Sequence, residues 1–371
     1  MRKTTGKLVF ICMSVLVLLG VVASLCMPRG FGMLNTGHDT PSQDTALITP
    51  ELAPLQLVRI HEQVEFPTQI AAGNYSGIAR VEGCRYAVAN DKSPKAGFYF
   101  FDLQMDEVSG QITDARMDSL VTSGKPNRDE EGIAYNPHTH TLFVSGETDN
   151  DIIEYRMDGS LTGRKLQVPS IFKKARHNLS FEALSYNATT HHYWMANEVP
   201  LPQDGEAATS LRPTEQRLRL QSFDDHLKPS GCYAYLSDAP MGRDSAMASL
   251  TGISGLAALD DGRLIVLERE IFLPQGYLGS FVHVKLYVVN PDKSQLVSND
   301  PLTDSSPFMQ KDLLCEWRTN FSLAGFDLGN YEGICLGPRL KGGEQTLIAI
   351  SDSQNQQGGV MHDWFKVIVF R

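Results

Sequence analysis

Apolar and polar residues alternate in short runs from Leu55 to the end of the chain, with Gly, Asn, Asp and Pro between the runs, and no stretch there has the spacing of an amphipathic helix. Paired runs of this kind predict β-hairpins. One phrase recurs five times. Its clearest form is DEEGIAYNPHTHTLFVSGE at residues 129–147, in which acidic and small residues open an apolar strand, a polar turn follows, and a second apolar strand ends in an acid. Variants occupy residues 74–91, 178–198, 252–268 and 330–352. Strand-turn-strand units repeated at intervals of several tens of residues are the signature of a β-propeller, whose blades are four-stranded sheets set around an axis.

Residues 76–118 divide into four strands, enough for one blade, and residues 131–169 repeat the set. A third copy carries a polar insertion after Glu198, and a fourth has Asp261-Gly262 as a hairpin turn. The fifth stops at Arg371 after three strands, while the run that begins at Leu55 has no blade of its own. Pairing those two ends closes the ring and removes an open edge. The expected fold is therefore all-β, a single β-propeller of five blades over residues 55–371, closed by N- and C-terminal strands in one blade. Six blades is the alternative count, because residues 178–252 and 252–330 are long enough to hold further strands.

Blade geometry also places the acids. The first strand of a blade lines the axial channel, where neighbouring blades crowd, and the small residues Gly77, Gly132, Ala183, Gly255 and Gly333 fall there. Glu131, Glu182 and Glu332 enter that strand, while Asp91, Glu147, Glu198, Glu268 and Asp352 finish the second. Antiparallel pairing brings both sets to one rim. Carboxylates so gathered raise one another's pKa unless a cation neutralises them, and oxygen donors without Cys favour calcium over zinc. The competing reading is that each acid caps backbone amides of the next blade. Lys92 and Arg269 each follow a rim acid directly and are candidates to meet an anionic substrate, although strand alternation sends neighbours to opposite sides. His138, His140, His191 and His192 read as turn residues, and Gly252-Ile-Ser-Gly-Leu lacks the second glycine of a serine-hydrolase elbow.

Composition narrows the partners. The 371 residues carry a formal charge of −10, which disfavours nucleic acid and suits metal cations. Residues 2–7 are basic, residues 8–25 apolar, and Val22-Ala23-Ser24 offers a cleavage site, so residues 1–26 are expected to be an export signal, with an uncleaved membrane anchor as the alternative. A spacer rich in Pro, Thr, Gly and Asp follows over residues 27–54, and the protein is expected in the periplasm or outside the cell. Export permits disulfides among Cys84, Cys232, Cys315 and Cys335; buried free thiols are the other reading.

The phrases DEEGIA, NLSFEAL, LIVLERE and NYEGICLGP, the last followed by TLIAISDSQN, resemble the exported phytase-like domain family, described by its esterase-like activity of phytase, over residues 73–371. The resemblance implies a propeller and hydrolysis of phosphate or other esters. At the level of the site, cations held by Glu131, Glu182, Glu332 and their neighbours would neutralise phosphate oxygens and activate water, with Arg269 and Lys92 adding positive charge. The expectation is an exported, monomeric, calcium-assisted hydrolase of small phosphate esters or other esters. The alternative is a non-catalytic propeller with structural calcium, in which the loops at residues 200–213 and 292–310 bind a ligand or a protein.

Overall fold

A computed structural model describes residues 52–176, 179–323 and 325–371. Residues 1–26, expected to be an export signal, most of the expected spacer and Asn178 lie outside the described residues. Strand β1 (Leu57–Ile60) leads into the first blade, which comprises β2 (Tyr75–Glu82), β3 (Arg85–Asn90), β4 (Gly97–Met105) and β5 (Ile112–Met117), with the short β6 (Val121–Thr122) on β4. The second blade holds β7 (Glu130–Asn136), β8 (Thr141–Gly146), β9 (Asp151–Arg156) and β10 (Leu161–Lys165). The third holds β11 (Ala183–Asn187), β12 (His192–Ala196), β13 (Gln216–Phe223) and β14 (Pro229–Ser237). The fourth has β15 (Ala248–Ala258), β16 (Leu264–Leu273), β17 (Phe281–Val289) and β18 (Lys311–Ser322), extended by β19 (Gly325–Phe326). The fifth is β20 (Asn330–Arg339), β21 (Gln345–Asp352) and β22 (Phe365–Phe370), completed by β1.

The ring has five blades and closes as the sequence predicts. β1 lies antiparallel to β22, with Leu57 opposite Phe370 and Ile60 opposite Ile368, and the pairing continues through the Val64–Phe365 bridge. The long intervals that left room for a sixth blade hold polar insertions instead. Residues 291–310 run along the outer strand of the third blade, bridging Leu296 to Tyr233 and Phe308 to Ala234, and so cover an edge that would otherwise be open.

Every blade junction is an apolar wedge, which is why the strand sequences are apolar on both faces. Phe98 and Tyr155 fill the one between the first two blades, Phe143 and Tyr193 the next, and Val88 and Val367 the junction of the fifth with the first. On the axis the first strands touch in the circle β2, β7, β11, β15, β20. Here glycine is a requirement of space. A Cβ on Gly77 would stand 2.3 Å from the Glu131 carbonyl oxygen, and one on Gly333 would stand 2.4 Å from that of Ser76. Cys84, Cys232, Cys315 and Cys335 are all free thiols, so wedge packing rather than cross-linking holds the ring.

The two insertions are locked to the third blade by a buried ion pair. Arg219 on β13 is wholly buried and donates through Nε and Nη2 to Asp204 at 2.7 and 2.8 Å, and its remaining N–H groups reach the Ser298 and Asp300 carbonyls. Asp204 in turn accepts from the Leu302 N–H at 2.8 Å. Removing one member of such a pair strands a buried charge. Asp204→Ala should therefore cost about 3–5 kcal/mol of stability in denaturant melts, whereas Arg217→Ala, whose partner Asp304 is exposed, should cost about 1 kcal/mol or less.

Candidate metal centre at the propeller rim

The five blades share one register at the axis. In each, the residue three places before the small residue of the first strand stands opposite the end of the second strand. The Asp91 N–H donates to the Asn74 carbonyl, the Glu147 N–H to that of Asp129 and the Glu198 N–H to that of Ser180, while Asp352 pairs with Asn330. In the fourth blade the equivalent pair is Gly252 with Arg269. The second-strand tier of the rim is thus Asp91, Glu147, Glu198, Arg269 and Asp352. A second tier comes from the residue just before each small one: Ser76, Glu131, Glu182, Ser254 and Glu332. The pairing slips by one residue at this point in four of the blades, a bulge of the kind that re-aims a side chain.

This register corrects the placement expected for Glu268. It lies one residue inward on β16 and therefore points the other way, accepting from the Tyr235 hydroxyl at 2.6 Å, the Asp238 N–H at 2.9 Å and Lys311 Nζ at 2.7 Å. Alternation does separate Glu268 from Arg269, but the arginine faces the axis. Only 3% of its side chain is exposed, and its guanidinium bridges Glu198 and Glu332 while donating to Asn330 Oδ1 at 2.8 Å. Burial works against the charged form, but Glu332, Glu198 and Glu182 overcome it and hold Arg269 protonated.

On the other side of the ring the acids face one another. Carboxylate oxygens of Asp91, Asp129 and Glu131 lie within 4.8 Å of one another, and so do those of Glu131, Glu147 and Glu182. Glu131 belongs to both groups. Lys92, largely exposed, reaches Asp91 Oδ2 at 2.5 Å and Asp129 Oδ1 at 2.6 Å. Asp352 is tied down separately, accepting from the Gln354 N–H at 2.7 Å and its side-chain amide at 2.6 Å. Sequence reasoning missed Asp129, Asn330 and Gln354. Asp129 was recoverable by counting three residues back from Gly132, and it adopts a left-handed φ of 58° at the strand entrance. The turn histidines lie at the opposite end of the hairpins, where His138 stacks on His191 at 4.5 Å between ring centroids.

Crowding in this buried place shifts the acids strongly. Burial, then the charges of Asp91 and Glu147, pushes Glu131 well above the usual carboxylate range, and burial with Glu131 and Glu198 does the same to Glu182. Burial raises Glu147 to about 7, and it raises Glu198 to about 8 despite the opposing charge of Arg269. Asp91 Oδ1 and Glu198 Oε2 are buried without a hydrogen-bond partner. Orphaned oxygens among paired carboxylates are what a hard divalent cation satisfies, so the residues fit such an ion. Carboxyl groups with raised pKa stabilise the fold while they stay protonated. That contribution is complete below 4.5 and is lost as pH rises through about 7 and about 8. In chelator the melting temperature should therefore fall between pH 5 and pH 8, and the increment added by calcium should grow over the same interval; a pH-independent increment would remove these acids from the ion's ligands.

Among solved structures the chain is similar to a DUF4221 family member from Bacteroides vulgatus, at a TM-score of 0.38 and 10% identity over 85% of this chain and 98% of that one. It is also similar to the periplasmic gluconolactonase of Pseudomonas aeruginosa, at a TM-score of 0.34 and 15% identity over 81% of this chain and 73% of that one. No curated protein matches the chain. Residues 70–354 match the phytase-like family, described by the esterase-like activity of phytase, and the chain belongs to that family.

Proposed function

We propose that the protein is an exported, cation-assisted hydrolase of small phosphate esters or other esters, working at the acidic rim with calcium as the ion. One observation carries the reading: two carboxylate triads share Glu131, and a buried oxygen of Asp91, a member of the first, lacks a hydrogen-bond partner. Family membership supports hydrolysis as the class of reaction, and export rests on the apolar, leader-like sequence of residues 2–25.

Glu131, Glu147 and Glu182 would hold the ion, with Asp91 and Asp129 completing the site on the side of the first blade. A bound divalent cation supplies neutralisation of substrate oxygens and a lower pKa for an attacking water. Glu182 is the most accessible of the three inner-strand acids, Glu131 and Glu332 being buried, so it is the one that would take the proton from that water, through the oxygen it does not give to the ion. Lys92, exposed on the rim and held only by two carboxylates, can turn its ammonium to an anionic oxygen of the substrate. Arg269 contributes at longer range, because its outer N–H groups are engaged with Glu198, Glu332 and Asn330.

The purified protein with calcium should release phosphate or alcohol from chromogenic phosphate or carboxylate esters. Glu131→Gln and Glu182→Gln should each lower turnover by about 100-fold or more with the far-UV spectrum unchanged. Preference for phosphate esters would support the part given to Lys92. If no ester turns over while calcium still raises the melting temperature, the propeller is a binding module with a structural ion.

A further inference from the structure

We infer that Arg269 is a built-in cation that occupies one side of the acidic ring, confining divalent metal to the side formed by Asp91, Asp129, Glu131, Glu147 and Glu182. This inference rests on the cation reading proposed above and specifies where, and on which ligands, the ion is taken.

The shared register supplies the first argument. Four of the five equivalent second-strand positions are acids, Asp91, Glu147, Glu198 and Asp352, and the fifth is Arg269. An arginine at the fifth position of a ring of acids lies in the same shell as the ligands it replaces. Its reach is the second. From the fourth blade it extends to an acid on each neighbouring blade, Glu198 of the third and Glu332 of the fifth, which would otherwise face each other as a carboxylate pair. Asn330 reinforces the grip, accepting from Arg269 Nη1 at 2.8 Å and donating to Glu332 Oε1 at 2.7 Å. A guanidinium engaged in this way cancels one of the two negative charges, fills the space between the two carboxylates and takes an oxygen of each, so a second ion would meet a resident cation and occupied ligands.

The remaining rim contrasts with this. Among the described residues, no buried cation makes an ion pair with Glu131, Glu147 or Glu182: Arg269 acts on Glu182 only through space, and Lys92, exposed, acts on Glu147 through space while pairing directly with Asp91 and Asp129. Asp352 has both oxygens occupied by Gln354. The ion therefore sits off the axis, among the first three blades. Glu198 Oε2, buried and without a partner, marks where a second ion would dock once the guanidinium is gone.

Counting bound calcium per chain, by equilibrium dialysis alongside calorimetric titration, tests this. Arg269→Gln should bind one more calcium per chain than wild type, and Arg269→Lys, which keeps the charge, should not. Glu131→Gln should abolish wild-type binding, while Glu198→Gln should leave wild-type affinity within a few-fold. The inference is overturned if folded Arg269→Gln binds no additional ion. It is equally overturned if Glu198→Gln weakens wild-type calcium binding as severely as Glu131→Gln does, a result that needs no Arg269 variant to fold. A wild type that binds no calcium is a different outcome, which sinks the cation reading itself and this inference with it.

Discussion

Negative charge buried at the centre of a ring is the constraint on which the rest of this structure depends. Eight carboxylates converge where five blades meet, in a place from which water is largely excluded, and two basic side chains, Arg269 and Lys92, stand among them. Ionised carboxylates at this spacing repel strongly when the surroundings are poorly polarisable. The chain deals with this in four ways: a guanidinium on one side, the Lys92 ammonium between Asp91 and Asp129, an amide clasp of Gln354 over Asp352, and raised proton affinity on the acids that remain. Only the last of these can be exchanged for a ligand, which makes the Glu131 side the chemically open part of the rim.

That concentration of charge is possible because the inner strands approach so closely. With no Cβ at Gly77 or Gly333, a backbone carbonyl of the neighbouring blade moves in where a side chain would stand, and the residue just before each glycine is turned toward the axis by a bulge. Close packing and acid placement are thus one device. The apolar wedges between blades then hold the strands in this crowded arrangement without disulfides.

Much of this was legible in the sequence. Five hairpin phrases give five blades, and an incomplete last blade with an unassigned first strand gives the closure, because hydrophobic alternation reports directly on burial. The register at the axis was harder. In the fourth blade two acids flank an arginine, Glu268-Arg269-Glu270, and the composition of the motif favours Glu268 as the rim residue; only the pairing of Gly252 with Arg269 shows that the arginine stands there. Bulges are the physical reason, since a single extra residue shifts the faces of a strand while leaving its apolar pattern looking regular. Gln354 was invisible for another reason: its clasp depends on left-handed backbone at residues 354–356, a conformation that the sequence QNQ does not announce.

The closing blade has a mechanical consequence. Gln56 and Arg371 exchange backbone hydrogen bonds at 2.9 Å in both directions, so the two ends of the ring leave it side by side at the same end of one antiparallel ladder. Tension applied at those two residues would load the rungs one after another, beginning with Leu57 opposite Phe370, rather than all together. The closing blade would then open under such a load like a zipper, one rung at a time.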